Sequence, residues 1–218
     1  MRAEELLVES LPRFLNADVV DDVIVALGPK CRLRLGVGLQ SSNALVRRYV
    51  TRTPITQAEL RALLAWRKVA PFALRLYLLA NKPMLSATED SRDLRRSLQF
   101  LNEWLTDADT VTINPLLPTN ATVLARVWSA GCWRPLRIDE ARALEADVRS
   151  GNYAFRIEFG PAVASTCSEI DLRVHDVGAA AEAAQQFALT DPAFLPWSLL
   201  GGLRHRSRWV TRGGVQHR

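Results

Sequence analysis

The sequence predicts an α/β protein built around a parallel sheet. Segments with strand periodicity alternate with segments of helical periodicity through the first 150 residues, which indicates strands joined by right-handed helical crossovers. The run FALRLYLLA, from Phe72 to Ala80, is short and almost wholly apolar, as expected for a parallel strand covered on both faces. We therefore expect a main domain with a parallel sheet at its centre.

The predicted elements follow one another in a regular order. The expected ranges are strand 5–8, helix 17–27, strand 31–39, a helix starting near 44, helix 57–69, strand 72–80, helix 88–105, strand 110–114 and helix 121–130. In the second strand Leu33 and Leu35 alternate with Arg32 and Arg34, so the two pairs should point to opposite faces. Thr56 is the expected N-cap of the helix that follows it.

A change in composition predicts a domain boundary near residue 150. A charged helix is expected at 139–148, and Ser-Gly-Asn at 150–152 favours a break after it. Residues 1–150 would form the main domain. Residues 151–218 would form a small α+β appendage, with a strand at 153–159, an alanine-rich helix at 177–188 and a basic tail.

Length and composition limit the class of protein. A chain of 218 residues, 48% of them hydrophobic, can bury a substantial core. No apolar run approaches the roughly 20 residues that span a bilayer, and the first residues do not resemble a signal peptide, so we expect a cytoplasmic protein without a membrane partner. Cys31, Cys132 and Cys167 form neither a disulfide framework nor a C-x-x-C pair, which favours reduced thiols.

The excess positive charge lies in the C-terminal tail. Residues 204–218 contain five arginines and no acidic residue, so taking five from 28 basic residues leaves 23 against 23 acidic ones. Arg204, Arg206 and Arg208 could hold a phosphate backbone while Trp209 stacks on a base. The alternative interpretation is a solvated and disordered end of the chain.

The turn after the second strand is a candidate ligand site. Gln40, Ser41, Ser42 and Asn43 come where a strand ends and a helix is expected to begin, and free amides and the helix dipole converge at such points. Serine and asparagine are also preferred helix N-caps. One interpretation is therefore an α/β protein that binds a phosphorylated small molecule at this edge.

Two segments resemble radical S-adenosylmethionine (radical SAM) enzymes. LLVESLPRFL, at 6–15, resembles the fourth strand of their parallel β/α barrel, with Glu9 in register. RLGVGLQSSNALVRRYV, at 34–50, resembles the fifth strand and its turn, with Gln40 and Ser41 in the key places. The resemblance implies an incomplete barrel that corresponds to the C-terminal half of the family's fold. It also implies that Glu9, Gln40 and Ser41 lie at the S-adenosylmethionine site, the alternatives being strand-end polar residues and a helix cap.

Later segments resemble one branch of this superfamily. LYLLANKPMLSATED, at 76–90, and DTVTINPLLPTNATVLARVWSAGCWRPL, at 109–136, are similar to the branch of the archaeosine enzyme, which acts on a modified guanine in tRNA and is related to the radical elongator subunit. The resemblance covers about residues 5–137 and implies a relation to tRNA-modifying enzymes. Lys82, which follows a buried strand, could pair with a carboxylate or with a phosphate of the substrate, and Asn114 could cap or hydrogen-bond a substrate. A solvated loop lysine and an ordinary turn are the alternative interpretations.

The sequence departs from this family at the metal ligands. The family's 4Fe-4S cluster needs a C-x-x-x-C-x-x-C loop, whereas no two cysteines here are closer than 35 residues, from 132 to 167. GPAVASTCSEID, at 160–171, resembles a cysteine-rich module of the branch, but Cys167 keeps only one cysteine place, and His175 or His205 cannot complete four zinc ligands. We expect this chain alone to bind no metal and no S-adenosylmethionine.

Three functions are left open by the sequence. The chain could be part of a tRNA-modifying radical enzyme, truncated or degenerate and inactive unless another polypeptide supplies the N-terminal half of the barrel. It could instead be a non-catalytic half-barrel that binds RNA or protein. The third function is the binding of a phosphorylated small molecule, so whether the chain is an enzyme is undecided. In the barrel interpretation four strands cannot close, and the first strand should have an open edge.

Overall fold

Five parallel strands form the sheet. The computed structural model describes residues 4–117 and 123–160. Its strands are β1 (Glu5–Glu9), β2 (Arg32–Gln40), β3 (Ala73–Ala80), β4 (Thr110–Pro115) and β5 (Arg156–Phe159). Each strand after β1 pairs with the strand before it in the sequence, so the order in the sheet is β1-β2-β3-β4-β5. The predicted parallel sheet is confirmed.

Helices connect all neighbouring strands. They are α1 (Ala17–Leu27), α2 (Gln57–Arg67), α3 (Ala87–Asn102), α4 (Val123–Ser129) and α5 (Ile138–Arg149). The last two lie between β4 and β5, and each earlier crossover contains one α-helix. Parallel strands in sequence order joined by helices are the arrangement of a β/α barrel, and these five strands form part of one. Over the described ranges, no helix combines the length and apolar character needed to cross a membrane.

The helices pack on one face of the sheet. Alternate strand residues and helix residues form one hydrophobic cluster, whose members include Leu33, Leu35, Val37, Leu39, Leu74, Leu76, Leu78, Leu60, Leu64, Leu94, Leu98 and Leu101. The residues between them on β2 and β3, among them Arg34 and Arg75, point to the other face. The two arginines of the second strand thus lie opposite its leucines, as the alternation predicts.

Capping boxes set the starts of two helices. Thr56 and Ser86 each accept from the backbone of a glutamate three residues later, and that glutamate accepts from the capping residue in return. The cap predicted at Thr56 is confirmed. The helix expected from Thr88 begins at Ala87 because Ser86 is its N-cap.

The helix predicted near residue 44 begins there, with Asn43 as its cap because Asn43 Oδ1 accepts from Leu45 N–H at 3.0 Å, but it does not continue as an α-helix. It forms a five-residue π-helical turn, Val46–Val50, in which Thr51 N–H donates to Val46 O at 3.0 Å. Arg47 accounts for the difference, because its buried guanidinium donates to the carbonyls of Ser41 and Ile55 on either side of the turn. The chain folds around this side chain as a compact loop.

The sheet continues past residue 150. β5 lies in the segment that the sequence assigned to the appendage, and it pairs in parallel with β4. The remainder of the predicted appendage, residues 161–218, lies outside the described residues. The same holds for Cys167 and for the four tail residues predicted to bind nucleic acid, Arg204, Arg206, Arg208 and Trp209.

Candidate functional site

The face of the sheet opposite the helices is polar. We call it the inner face and define it by the side chains of Glu5, Glu9, Arg34, Arg75, Tyr77, Thr110, Thr112 and Glu158. These residues come from all five strands, and the alternation along each strand places them opposite the residues that meet the helices. In a closed barrel this face would line the interior.

Arg34 connects three strands across the inner face. Its Nη1 group donates to Thr110 Oγ1 and its Nη2 group donates to Glu5 Oε2, both at 2.8 Å. Arg34 is only 4% exposed, and these partners offset the free-energy cost of burying its charge. The hydrogen bond from Arg34 outweighs the effect of burial and lowers the pKa of Glu5, with further electrostatic contributions from Arg34, Arg75 and Arg156. This carboxyl group is therefore held ionised.

A second ion pair spans β3 and β5. Arg75 Nη2 donates to Glu158 Oε2, and both side chains are partly exposed. Three polar atoms nearby are buried without a hydrogen-bond partner in the described part of the chain: the Nε atoms of Arg34 and Arg75 and the hydroxyl oxygen of Thr112. The inner face thus retains hydrogen-bonding groups that its own side chains do not use.

Glu9 and Tyr77 form a pair near the carboxyl ends of their strands. The Tyr77 hydroxyl donates to Glu9 Oε1 across β2. Gly36 lies between them, and a Cβ atom there would come within 2.9 Å of Glu9 Cγ and 3.5 Å of Tyr77 Cε2. Burial, followed by the hydrogen bond with Glu9, raises the pKa of Tyr77 above its usual value of 10.0. The phenol is a hydrogen-bond donor at neutral pH.

Two turns at the carboxyl ends of β2 and β3 have left-handed backbone. Gln40 has a φ of 66° and Asn81 a φ of 59°. This conformation costs an ordinary residue roughly 1–2 kcal/mol, although asparagine adopts it more readily. Gln40 Oε1 is also buried, and no described residue donates a hydrogen bond to it. Backbone strain and an unpaired polar atom therefore coincide at Gln40.

A buried ion cluster stabilises these two turns. We define it as Lys82, Asp90 and Asp93. Lys82 Nζ lies 2.7 Å from Asp90 Oδ1 and 3.2 Å from Asp93 Oδ2, and it donates to Leu79 O at 2.6 Å. Asp90 Oδ2 accepts from the backbone N–H of Asn81 at 2.6 Å. The Lys82 side chain has no exposed surface, so the solvated-lysine interpretation is wrong and pairing with carboxylates is confirmed. The same burial argues against the substrate contact predicted for Lys82.

Ser41 belongs to the surroundings of this cluster. It is fully buried, and its Oγ donates to Asp93 Oδ1 at 2.8 Å and accepts from Asn43 N–H at 3.0 Å. The N–H of Ser42 donates to Ser97 Oγ at 2.9 Å. These amides are the donors that would have to bind a phosphate, so their pairing disfavours the phosphorylated small molecule at this edge. Ser41 thus stabilises the turn, whereas the helix cap is Asn43.

Three of the predicted site residues share the carboxyl edge of the sheet. Glu9, Gln40 and Asn114 come from the ends of β1, β2 and β4. A Cβ atom on Gly160 would lie 2.2 Å from Asn114 Oδ1, so the residue after β5 must be small for this amide to fit. Ser41 and Lys82 are both buried behind that edge, Lys82 in the ion cluster and Ser41 beside it.

Sequence reasoning missed the residues that hold the site together. Asp90 and Asp93 lie one helical turn apart on α3, so both reach the same neighbour, and this spacing was a signal that they act as a pair. Arg34 and Arg75 interrupt otherwise apolar strands. This pattern indicates that both point away from the helices, but it does not identify their partners. The buried Arg47 gave no comparable signal.

The described residues do not fit an iron–sulfur cluster. Cys31 precedes β2 at the amino edge of the sheet. Cys132 lies on the opposite side, since its neighbour Trp133 donates through Nε1 to Asn81 O at the end of β3. Two cysteines at opposite edges cannot ligate one cluster, which needs several thiolates together. Within 4–117 and 123–160, no group of three or more histidine, cysteine, aspartate or glutamate side chains is arranged to hold a metal ion.

Comparison with known proteins supports the fold alone. No protein-family model matches the sequence, and no curated protein sequence matches it. The structure is similar to that of the archaeal Methanocaldococcus infernus Elp3 with N-terminal residues 1–46 deleted, with a TM-score of 0.56 and 19% sequence identity. The similarity covers 71% of this chain and 34% of that protein, so the chain spans about a third of the length of the Elp3 that it matches.

Proposed function

We propose that this chain is a radical SAM-like protein, related to tRNA-modifying enzymes, that does not carry out radical chemistry alone. One observation carries the proposal. The segments that resemble this superfamily, over residues 5–137, coincide with β1 to β4 and their carboxyl turns, and the same fold occurs in an Elp3. The resemblance rests on side chains and the fold similarity rests on the backbone, and both favour the same superfamily.

The cysteines support the absence of activity in the isolated chain. A radical SAM cluster needs several thiolates in one loop, and the described cysteines lie at opposite edges of the sheet. Glu9 and Gln40 remain the candidate contacts for the S-adenosylmethionine cofactor, because both lie at the carboxyl edge and the amide oxygen of Gln40 accepts no hydrogen bond from any described residue. The proposed role is to complete or support a site whose cluster another polypeptide provides.

The proposed nucleic-acid partner is tRNA. Asn114 at the carboxyl edge and the tail residues Arg204, Arg206, Arg208 and Trp209 would contact it, the arginines through phosphates and the tryptophan by stacking. Support comes from the charge distribution, since the tail carries all of the chain's excess positive charge. A body with balanced charge has no comparable electrostatic attraction for a phosphate backbone.

An anaerobic reconstitution tests the catalytic part of the proposal. The full chain is incubated with iron and sulfide, and its iron content and electron paramagnetic resonance spectrum are measured after desalting. We expect no stoichiometric cluster. A stoichiometric 4Fe-4S spectrum from the 218-residue chain alone would show that it holds a cluster and would overturn this part.

Binding of unmodified tRNA over a range of salt concentrations tests the tail. Replacing Arg204, Arg206 and Arg208 by alanine should reduce the slope of log K against log salt by about 2–3, because each lost phosphate contact contributes about 0.7–0.9. The matched control replaces three exposed body arginines, Arg61, Arg92 and Arg142. Equal effects of the two triple variants would contradict a specific role for the tail.

A further inference from the structure

The open edge of β1 displays unpaired backbone groups. Within the described residues β1 pairs with β2 alone. Arg32 N–H donates to Glu4 O at 2.9 Å and Ser10 N–H donates to Gly36 O at 3.0 Å. Since residues that bond to one neighbour alternate along a parallel strand, the backbone N–H and C=O groups of Glu5, Leu7 and Glu9 point away from β2. These groups are a template for another strand.

Apolar side chains surround this edge. All five residues of β1 are exposed, and the large apolar ones are each 37–39% exposed: Leu6, Leu7 and Val8. Leu7 shares a face with Glu5 and Glu9, whereas Leu6 and Val8 lie on the other face. We call residues 4–27 the β1 corner. Its exposed apolar groups lie beside unpaired backbone, a combination that marks an interaction surface in other proteins.

The β1 corner is also strongly acidic. It contains six acidic residues and one basic residue, a net charge of −5 within a chain of net charge +5: Glu4, Glu5, Glu9, Asp18, Asp21 and Asp22 against Arg13. All seven are exposed. Asp18, Asp21 and Asp22 form no ion pair with any described residue. The corner therefore repels phosphate backbones and attracts cationic groups.

We infer that the β1 corner binds an extended segment of another polypeptide in which apolar and basic side chains alternate. The segment adds a strand beside β1, with main-chain hydrogen bonds to Glu5, Leu7 and Glu9. Its basic side chains meet Glu5 and Glu9 on the inner face, and its apolar ones cover Leu6 and Val8 on the opposite face. The inference rests on the proposed function only for the existence of a polypeptide partner.

A second copy of this chain fits the same edge poorly. Antiparallel pairing of two β1 strands about Leu7 would set Glu5 of one copy opposite Glu9 of the other. Like charges placed directly opposite on neighbouring strands are destabilising. Charge complementarity thus selects a basic segment over self-association.

Amide exchange at single residues tests the inference. The probe is a seven-residue synthetic peptide of alternating lysine and valine with blocked ends, added to the isotopically labelled full chain. At a peptide concentration about ten times Kd, exchange of the outward amides of Leu7 and Glu9 should slow about tenfold. The amides of Leu6 and Val8, which point toward β2, are internal controls and should change little.

The matched control peptide alternates glutamate and valine. It should leave Leu7 and Glu9 unchanged, and equal protection by both peptides would overturn the charge argument. Absence of protection by the lysine peptide at millimolar concentration would overturn the inference altogether. Protection of Leu7 and Glu9 before any peptide is added would also overturn the inference. Sedimentation velocity would then tell whether the chain covers its own edge, as a monomer, or whether a second copy covers it, as a dimer.

Two variants separate the strand edge from its charge. Leu7→Pro removes one outward N–H and spares the bonds to β2, so it should abolish peptide binding, whereas Leu7→Thr should retain it. Glu5→Gln combined with Glu9→Gln keeps the strand and removes the two facing charges, so it should weaken binding at least tenfold. This second variant keeps the inference testable if the proline variant does not fold. Neither set of changes touches the tail or the cysteines, so failure here is distinct from failure of the tRNA or iron experiments.

Discussion

The ammonium group of Lys82 lies 2.7 Å from the carboxylate of Asp90, and the lysine side chain has no exposed surface. This pair ties the turn after β3 to the first turns of α3, because Asp90 also accepts from the backbone of Asn81 and Lys82. Asp93 then extends the contact to Ser41 at the end of β2. Lys82 and its two aspartates therefore connect two turns of the carboxyl edge.

Loss of that cation should destabilise the fold. Lys82→Met leaves Asp90 buried without its counter-charge and leaves Asp93 with only the electrostatic attraction of Arg47, and breaking a buried pair from one side typically costs about 3–5 kcal/mol. Urea unfolding measures the change in the free energy of unfolding. Lys30→Met, at an exposed position, is the control and should change it by less than about 0.5 kcal/mol. A similar small change for Lys82→Met would contradict the proposed role of the cluster.

A methyl group at Gly36 should separate Glu9 from Tyr77. The Cβ of Gly36→Ala would come within 2.9 Å of Glu9 Cγ and 3.3 Å of Leu7 Cδ1, and such overpacking costs typically about 1–3 kcal/mol. Ultraviolet titration should also show a lower Tyr77 pKa, since the hydrogen bond with Glu9 contributes to raising it. Gly38→Ala is the control, because its Cβ would meet only the flexible amide end of Gln40. Equal losses in both variants would argue against this steric role.

The pair between Glu5 and Arg34 should make stability depend on pH. The pKa of Glu5 is lower in the folded protein than its ordinary value of 4.5, so its contribution is present above pH 4.5 and is lost as the pH falls through the folded pKa. Glu5→Gln should therefore reduce the melting temperature at pH 7 and have a smaller effect below the folded pKa. Glu4→Gln, at an exposed neighbouring residue, is the control and should leave the melting temperature at pH 7 nearly unchanged. Scanning calorimetry from pH 7 to acid distinguishes the two.

The left-handed backbone at Gln40 predicts an unusual response to glycine. Gln40→Gly relieves a strain of roughly 1 kcal/mol and should leave stability unchanged or increased. The same substitution at exposed Gln99, within α3, should lower the free energy of unfolding by about 1 kcal/mol, the usual penalty of glycine in a helix. Chemical denaturation compares them directly. A clear loss of stability at both positions would mean that Gln40 carries no relievable strain.

Much of the fold followed from local sequence, because strand and helix periods are local properties. The alternation in RLRL predicted that Arg34 and the leucines point to opposite faces, and this prediction is confirmed. The burial of Arg34 could not be predicted, since it depends on Glu5 and Thr110, which are 29 and 76 residues away in the chain. For Lys82 the partners were close in sequence, yet the left-handed turn that brings its side chain back onto α3 is a property of the folded backbone. The start of α3 was within reach, because Ser86 and Glu89 have the spacing of a capping box.

The strand order has a consequence for how the chain folds during synthesis. Every strand after β1 pairs with the one made immediately before it, so no pairing has to wait for a distant segment. Loop closure is then limited to single crossovers, which keeps the entropic barrier of each step low. The five described strands can therefore be added to the sheet one at a time, in order from β1 to β5, as the polypeptide leaves the ribosome.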